Sequence, residues 1–466
     1  MNVRPALLPP LDPGFVPAAL WNRAYRARCE TDPGAHPIAI ALERADGTVS
    51  RFDTRVLPHE GDHIPLNRKY VERLVKTLLW ARGGWRVIIG GDDSVAEMLC
   101  GIYAPDGERK FDWEFMGRRV YGRDLVVETR ALHDVPPARE VSVPLGRHLD
   151  GCRIGFDLGG SDRKCAAVID GRVVFSEETP WDPYFQSDPQ YHFDGIHESL
   201  QRAAAHLPRL DAIGGSAAGV YVNSEVRVAS LFRGVSPEDF DSRIRGLFFE
   251  LQKTWGGVPF EVVNDGEVTA LAGSMSLGEN AVLGISMGTS VAGGYVNPEG
   301  FIAPWLNELA FVPIDYRDDA PVDEWSGDRG CAVQYFCQQG VARLAPLAGL
   351  EFPAEMKFPE RLVEVQTLMA AGDARARQIY ETIGICFGYA IAHFADFYEI
   401  RNLLILGRVT SGEGGAIIIE KARAVLAAEF PALAAAIQLR TPEEKDKRHG
   451  QAVAAASLPA RRPTKR

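Results

Sequence analysis

The segment 154–171 constrains the fold of this chain more than any other stretch of its sequence. It consists of an apolar run, a turn with two glycines, a hydroxyl and a lysine, and a second apolar run that ends in an Asp-Gly hairpin signal. Glycines in such a turn bring backbone N–H groups close to an anion, and an aspartate at the strand end is placed to hold a hydrated divalent cation. The segment therefore predicts a phosphate-binding β-hairpin, although an ordinary surface hairpin fits the same pattern. The residues predicted to form this site are Asp157, Gly159, Gly160, Ser161 and Lys164.

A second strand–turn–strand pattern lies at 281–296, with Gly288, Thr289 and Ser290 in its turn. The two hairpins are far apart in sequence, which suggests two lobes that each hold one end of the phosphates of a nucleotide.

A short apolar strand at 261–263 leads into Asn264 and Asp265 and then into a helical segment. A carboxylate at a strand end that faces a cleft is a natural general base for a substrate hydroxyl. Asp265 is also suited to be only the N-cap of that helix, the commonest use of aspartate there. Its location between two predicted phosphate hairpins favours the base.

Along 151–457 these motifs resemble, in residue type and in order, those of the ROK family of sugar kinases within the actin–hexokinase superfamily. The two hairpins look like the two phosphate motifs of the family, with Ser161 in place of the usual threonine. Asn264 and Asp265 resemble the end of a Glu-Asn-Asp signature, in which the aspartate is the catalytic base and the asparagine contacts the sugar. Val263 replaces the glutamate of that signature.

The resemblance continues beyond the second hairpin. The strand and turn with Gly407 and Ser411 look like the adenosine-binding motif, although the family has more glycine there. Glu308 stands where the family has a sugar-contacting glutamate, and Gly219 lies in the counterpart of a Pro-Gly turn in the substrate pocket. The resemblance thus implies ATP and Mg²⁺ as cofactors, with the metal on Asp157 directly or through water, and a sugar as the substrate.

The substrate pocket departs from the family pattern. Phe311 replaces a histidine that, in the family, orders the sugar loop and ligates zinc, and Val333 replaces a sugar-side glutamate. Of the three cysteines of the family's zinc motif, only Cys331 remains within 324–331. Because a structural zinc site needs four nitrogen or sulfur ligands, the sequence predicts no zinc, and the altered pocket indicates a substrate other than glucose.

The composition agrees with an enzyme of the cytoplasm. The chain is 46% hydrophobic and 24% charged, which is typical of globular proteins, and its seven scattered cysteines do not suggest a disulfide framework. The absence of a signal-like segment and of an apolar run of ~18 residues predicts neither secretion nor membrane insertion.

The charge distribution argues against nucleic acid as a partner. The net charge of −11 lies wholly in 151–466, because residues 1–150 carry 21 basic and 21 acidic side chains. No basic footprint is present, and the short basic stretch 461–466 is predicted to be a solvated tail. The sequence leaves both a monomer and a homodimer open.

Residues 1–145 predict an additional mixed α/β domain. A hairpin is expected at 37–52, a helix at 67–80, and a strand at 86–89 followed by another helix. The Gly-Gly pair after that strand hints at a nucleotide loop, but the fingerprint is incomplete and a structural role is favoured. The proline-containing segment 136–143 predicts a linker.

The predicted fold class is therefore α/β: a two-lobed actin-like ATPase fold with ribonuclease H-like lobes and an extra N-terminal α/β domain. The predicted boundaries are 1–145 for the accessory domain, 151–275 for the first lobe and 276–460 for the second lobe.

The predicted function is ATP-dependent phosphorylation of a hydroxyl on a sugar or sugar derivative, with Asp265 as the general base. A sugar-sensing regulatory protein of the same fold is the main alternative, disfavoured because Asp157 and Asp265 are both retained. A superfamily ATPase that acts on a protein is a third hypothesis, disfavoured by Asn264 and Glu308 at positions where the family binds carbohydrate.

Overall fold

The computed structural model describes residues 1, 3–140, 145–441 and 444–461, without the side chains of 444–449. The linker predicted at 136–143 and the basic tail at 461–466 therefore lie partly outside the described residues. Of the described helices, none combines the length and the apolar character needed to span a membrane.

The helices of the described residues are, in chain order, α1 (Ala18–Thr31), α2 (His63–Arg82), α3 (Asp93–Ile102), α4 (Lys110–Asp112), α5 (Pro189–Ala204), α6 (Pro237–Asp239), α7 (Leu247–Thr254), α8 (Asp265–Leu277), α9 (Val333–Phe336), α10 (Gln338–Leu347), α11 (Phe358–Ala370), α12 (Ala374–Phe394), α13 (Glu413–Glu429), α14 (Pro431–Ala436) and α15 (Glu444–Ala456). The strands are β1 (His36–Glu43), β2 (Val49–Val56), β3 (Arg86–Gly90), β4 (Val126–Arg130), β5 (Cys152–Leu158), β6 (Asp162–Ile169), β7 (Arg172–Pro180), β8 (Ala212–Ala217), β9 (Val220–Val222), β10 (Glu225–Val228), β11 (Phe260–Asn264), β12 (Val282–Met287), β13 (Val291–Val296), β14 (Asn402–Leu406) and β15 (Gln438–Arg440).

The chain divides into two compact units that are each built from several stretches of sequence. The first unit comprises Met1–Val141, Ile285–Gly293 and Trp305–Arg440, and the second comprises Ser142–Gly284, Gly294–Pro304 and Thr441–Arg466. Residues 1–140 thus belong to the same unit as most of the carboxyl-terminal half. The boundaries predicted from the sequence remain a prediction.

The N-terminal part of the first unit contains a four-stranded sheet in the order β2-β1-β3-β4. The predicted hairpin, helix and following strand and helix are confirmed as β1–β2, α2 and β3–α3. Packing explains the Gly-Gly pair: a Cβ on Gly90 would lie 2.4 Å from Val135, and a Cβ on Gly91, where φ is +107°, would lie 2.4 Å from Pro37 O. These contacts support the structural role that the sequence favoured.

A second four-stranded sheet has the order β13-β12-β14-β15, with β14 and β15 parallel. The division into units passes through the β12–β13 hairpin. The turn between these two strands, together with the rest of Ile285–Gly293, belongs to the first unit. The long helix α12 lies directly before β14 in the chain.

The second unit is built on a five-stranded sheet in the order β11-β8-β5-β6-β7. Strands β5, β8 and β11 are parallel, whereas β5, β6 and β7 form an antiparallel meander. Apolar residues of these strands pack with α5 and α7 in one core that includes Phe156, Ile213 and Phe248.

Helix α15 packs very closely on the sheet of the second unit. Gly155 on β5 and Gly214 on β8 lie opposite each other, and a Cβ on either would lie within 2 Å of the carbonyl oxygen of Ala452 or Ala455. The pair of glycines is therefore what lets the helix backbone approach the strands.

We expect Gly214→Ala to lower the free energy of unfolding by about 1–3 kcal/mol or more, because the added methyl group overpacks a backbone contact. Urea or thermal unfolding of the purified variant measures this. Gly246→Ala is the matched control, since its Cβ would have no neighbour within 4 Å. Equal losses in the two variants would contradict the close approach of α15.

Candidate functional site

The sheet topology of the second unit brings the predicted catalytic residues together. Asp157 near the end of β5 pairs with Ser216 on β8, and Asn264 at the end of β11 pairs with Ala217, the next residue of β8. Because the carboxyl ends of parallel strands meet at one edge of a sheet, Asp157 and Asp265 lie at the same edge.

The first residue of α8 is Asp265, but Asn264 caps the helix. The Asn264 side chain accepts a hydrogen bond from the Gly266 N–H at 2.7 Å, and its amide donates to Gly219 O at 2.7 Å. Gly219 has φ +133°, and a Cβ there would lie 2.6 Å from Val228 O. Asn264 thus ties the turn at Gly219 to the start of α8, and the N-cap interpretation of Asp265 is wrong.

The Asp265 carboxylate lies in an electrostatically unfavourable place. Burial and the neighbouring charge of Asp157 raise its pKa to about 6, although the Gly266 N–H also donates to it at 2.9 Å. Burial likewise raises the pKa of Asp157, against the influence of Ser216 and of Lys164 across the strand pair. A carboxyl group of this pKa is ionised at neutral pH yet basic enough to take a proton from a hydroxyl.

Two neighbouring buried carboxylates also suit a cation. Mg²⁺ keeps most of its water ligands and is usually held by one or two carboxylates together with substrate phosphates. Asp157 and Asp265 fit that chemistry, although the described residues contain no group of three or more His, Cys, Asp or Glu arranged to hold a metal ion.

Hydrogen bonds hold the first predicted phosphate turn, which contains residues 159–161. The Gly159 N–H donates to Asp162 O at 2.9 Å, and Trp181 holds the turn from outside through its indole N–H to Gly159 O at 2.8 Å and its backbone N–H to Ser161 O at 3.1 Å. Lys164 lies 3.3 Å from the Asp162 carboxylate.

Glycine at 160 makes room for an aromatic ring. A Cβ on Gly160 would lie 2.0 Å from the Tyr184 hydroxyl, and the guanidinium of Arg233 covers the Tyr184 ring at 3.9 Å. Sequence reasoning missed Trp181, Tyr184 and Arg233, since no motif distinguishes them from other aromatic and basic residues. Tyr221 was also missed; burial, and in second place the nearby charge of Asp265, raise the pKa of its phenol.

The second phosphate turn and the predicted adenosine turn are neighbours within the first unit. The Gly288 N–H donates to Ser290 O at 3.0 Å, and the Gln338 N–H at the start of α10 donates to Gly288 O. Gly407 has φ +103°, and a Cβ there would lie 2.5 Å from Met287 O, which directly precedes that turn. Thr289, Ser290 and Ser411 are exposed around these turns.

The segment that carries Glu308 is held by the end of a helix from the N-terminal part of the chain. The backbone N–H groups of residues 306, 307 and 308 donate to the carbonyl oxygens of Arg82, Ala81 and Trp80, at 3.3, 3.1 and 3.0 Å. These carbonyls belong to the last turn of α2 and have no partner within the helix. Helix α2 therefore fixes the backbone position of Glu308.

Phe311 is buried among aromatic rings. It follows Glu308 in the short 3₁₀ turn Leu309–Phe311, is 6% exposed, and lies 4.3 Å from the ring of Trp80. Val333, the other substituted position, is buried at the start of α9.

A buried ion cluster occupies the segment 324–331, where the sequence resembles a zinc motif without its ligands. Asp328 is contacted by Arg73 at 3.0 Å, Lys76 at 3.0 Å and Arg109 at 2.5 Å. Burial raises the pKa of Asp328, but Lys76 and Arg73 outweigh burial and hold it below its usual value.

The remaining members of the cluster balance its charge. Glu72 pairs with Arg73 and Arg109, and Asp112 pairs with Lys76. Three carboxylates thus face three cations, and all but Asp328 come from residues 72–112. The absence of zinc stays a prediction.

Of the comparisons with known proteins, the one with solved structures finds proteins of similar fold. No protein-family model matches the sequence, and a sequence search against curated proteins finds no match. Among solved structures, a ROK hexokinase from Thermus thermophilus matches 66% of this chain and 97% of its own, with a TM-score of 0.53 and 18% identity. A ROK family transcriptional regulator, a homolog of the E. coli MLC protein, matches 67% of this chain and 79% of its own, with a TM-score of 0.52 and 20% identity.

The chain is therefore a mixed α/β protein that has the actin-like ATPase fold of ROK proteins over about two thirds of its length. The remaining third is additional. The predicted fold class is confirmed.

We expect Asp328→Asn to lower the free energy of unfolding by about 3–5 kcal/mol, because it leaves buried cations uncompensated. Denaturant unfolding of the full chain measures this. Asp319→Asn is the control, since the Asp319 side chain is 86% exposed and pairs with Arg317 at the surface. Similar stabilities for the two variants would show that the cluster contributes little.

Proposed function

We propose that this protein phosphorylates a hydroxyl of a sugar or sugar derivative with ATP, and that Asp265 is the general base. The observation that carries the proposal is the state of Asp265. Its carboxylate lies beside that of Asp157, its pKa is raised to about 6, and the capping role that would otherwise explain it belongs to Asn264.

In this mechanism Asp265 accepts the proton of the substrate hydroxyl as that oxygen attacks the γ-phosphorus of ATP, while the bond between this phosphorus and the bridging oxygen of the β-phosphate breaks and ADP leaves. The turns at 159–161 and 288–290 are assigned to the phosphates, where backbone N–H groups stabilise negative charge. Gly407 and Ser411 are assigned to the adenosine. Mg²⁺ held by Asp157, directly or through water, supplies neutralisation of the phosphate charge.

The substrate side rests on Asn264, Gly219 and Glu308. Asn264 fixes both the turn at Gly219 and the first turn of α8, so that it orients Asp265 as well as facing the substrate. Glu308 offers a carboxylate to sugar hydroxyls from a backbone that α2 holds in place.

The alternative function is sugar sensing without turnover. It is retained because the fold is similar to that of a transcriptional regulator. The retained pair Asp157 and Asp265 favours the kinase, since a sensor has no need for a base of raised pKa. The same proposal includes a cytoplasmic location and the binding of a sugar. It also includes the absence of a zinc site and of nucleic acid as a partner.

We expect Asp265→Asn to lower kcat by about 10²- to 10⁴-fold, because the amide cannot accept the proton. Phosphorylation of a sugar panel with ATP and Mg²⁺ measures this, and calorimetry with a non-hydrolysable ATP analogue shows that nucleotide binding is kept. Turnover by the variant at the wild-type rate would exclude Asp265 as the base. Sugar binding without turnover by the wild type would favour the sensor.

The raised pKa of Asp265 predicts a pH dependence of catalysis. The base is active when ionised, so kcat/KM should be constant above pH 7 and fall as the pH drops through about 6, the pKa of Asp265. At one pH unit below this pKa, about a tenth of the activity should remain. A rate that stays constant down to pH 5 would contradict this assignment, provided that the protein remains folded.

A further inference from the structure

A cavity of about 520 Å³ lies within the second unit, between the end of β7 and helix α5. Its lining combines Arg163 of β6, Pro180 and Trp181 at the end of β7, and one side of α5 that includes Asp194 and Glu198. A cavity of this volume is typical of sites that bind small molecules.

The cavity is separate from the predicted catalytic residues. In the ladder between β5 and β6, Arg163 pairs with Leu158, whereas Lys164 pairs with Asp157. Successive side chains of a strand point to opposite faces of the sheet, so Arg163 faces away from the side on which Asp157 and Lys164 lie. Leu158 belongs to the apolar core that also contains residues of α5. The cavity therefore lies on the α5 face of the sheet and is not part of the candidate site at Asp265.

The guanidinium of Arg163 is the feature of the cavity that indicates a ligand. The Arg163 side chain is 8% exposed, and its Nη2 donates to Glu198 at 2.9 Å. Its Nε and Nη1 are buried and have no hydrogen-bond partner among the described residues. Glycine at 195 makes room for this group, because a Cβ there would lie 2.7 Å from Nη1. A buried donor without a partner costs free energy, and a ligand oxygen that accepts from it removes that cost.

The charges of the lining select the class of ligand. Asp194 and Glu198 place two carboxylates beside one guanidinium, so the cavity repels an anion. A cation would satisfy the carboxylates but would leave the donors of Arg163 unpaired. Hydroxyl groups can donate to the carboxylates and accept from the guanidinium, and the apolar face of a sugar ring can pack on Trp181 and Tyr191. A neutral sugar meets all of these requirements.

Trp181 connects the cavity to the first predicted phosphate turn. Its indole N–H donates to Gly159 O at 2.8 Å, and its backbone N–H donates to Ser161 O at 3.1 Å. Because Trp181 also lines the cavity, a ligand that packs on this residue stabilises the same two hydrogen bonds.

We propose that this cavity is a second sugar site, distinct from the site at Asp265, and that a sugar bound there stabilises the turn 159–161 through Trp181. The inference goes beyond the proposed kinase function and does not depend on it, because the cavity is built from other residues.

The first test is calorimetry of the full chain with glucose, mannose and galactose, and with adenosine and inorganic phosphate in separate arms. At least one of the sugars should bind to the cavity. Arg163→Met should weaken this binding about tenfold or more and so remove one sugar from the measured stoichiometry. Its Tm should stay unchanged or rise, because the variant removes donors that have no partner in the free protein. Asp194→Ala, at an exposed position of the lining, should weaken the same binding without affecting the fold.

Arg172→Met is the matched control, since Arg172 is exposed at the opposite end of β7 and does not line the cavity. It should leave sugar binding unchanged.

Hydrogen exchange tests the connection to the phosphate turn. A saturating sugar should slow the exchange of the amides of 159–161 about fivefold or more in the wild type. Trp181→Phe keeps an aromatic ring in the lining but lacks the indole N–H, so it should still bind the sugar while most of the slowing is lost. Arg163→Met should show neither the binding nor the slowing.

An equal stoichiometry and affinity for sugar in the wild type and in Arg163→Met would overturn the second site. A lower Tm for Arg163→Met would show instead that this arginine is structural. Binding of adenosine or phosphate that is tighter than that of every sugar, and that Arg163→Met abolishes, would overturn the assignment to a sugar. If the wild type phosphorylates no sugar while Arg163→Met still loses one bound sugar, the cavity is supported and the kinase proposal fails.

Discussion

The contact of Asp328 with Arg73, Lys76 and Arg109 is the interaction on which the first unit depends. Burying six charged groups costs several kcal/mol for each ion, and only close pairing with balanced charge offsets that cost. Because a shift of helix α2 would break these pairs and leave buried ions unpaired, the cluster holds the helix in one position against the segment 324–331. That position in turn sets the carbonyl groups that hold Glu308 and the ring of Trp80 that supports Phe311.

The candidate site of the second unit differs from the ion cluster of the first. Its two buried carboxylates, Asp157 and Asp265, carry like charges, which is electrostatically unfavourable. Parallel strands β5, β8 and β11 end at one edge, where burial raises the pKa of both Asp157 and Asp265 and the charge of Asp157 raises the pKa of Asp265 further. The glycines at 155 and 214 permit α15 to pack on β5 and β8, the strand that carries Asp157 and its neighbour in the sheet. Stability of the surrounding fold is what maintains two like charges at short range.

Local sequence patterns predicted much of this architecture, because hairpins, helix periods and strand-end aspartates depend on residues close together in the chain. The hairpin β1–β2, helix α2 and the strand that delivers Asp265 are of this kind. The cap of α8 was harder to assign, since Asn264 and Asp265 are both good capping residues and only the geometry separates them. The pairing of Arg73 with Asp328 had no signal at all, because 255 residues separate the two and each alone looks like a solvated charge.

The charge balance of the ion cluster has a consequence for how this chain can evolve. A single change at position 73, 76, 109 or 328 leaves an uncompensated ion in the interior, whereas paired changes that remove one cation and one carboxylate restore neutrality. Homologous chains that carry the same additional third should therefore show correlated substitution at these positions. Recombination that exchanges the N-terminal third between distant homologues should succeed only when position 328 of the recipient carries a carboxylate that pairs with the transferred cations.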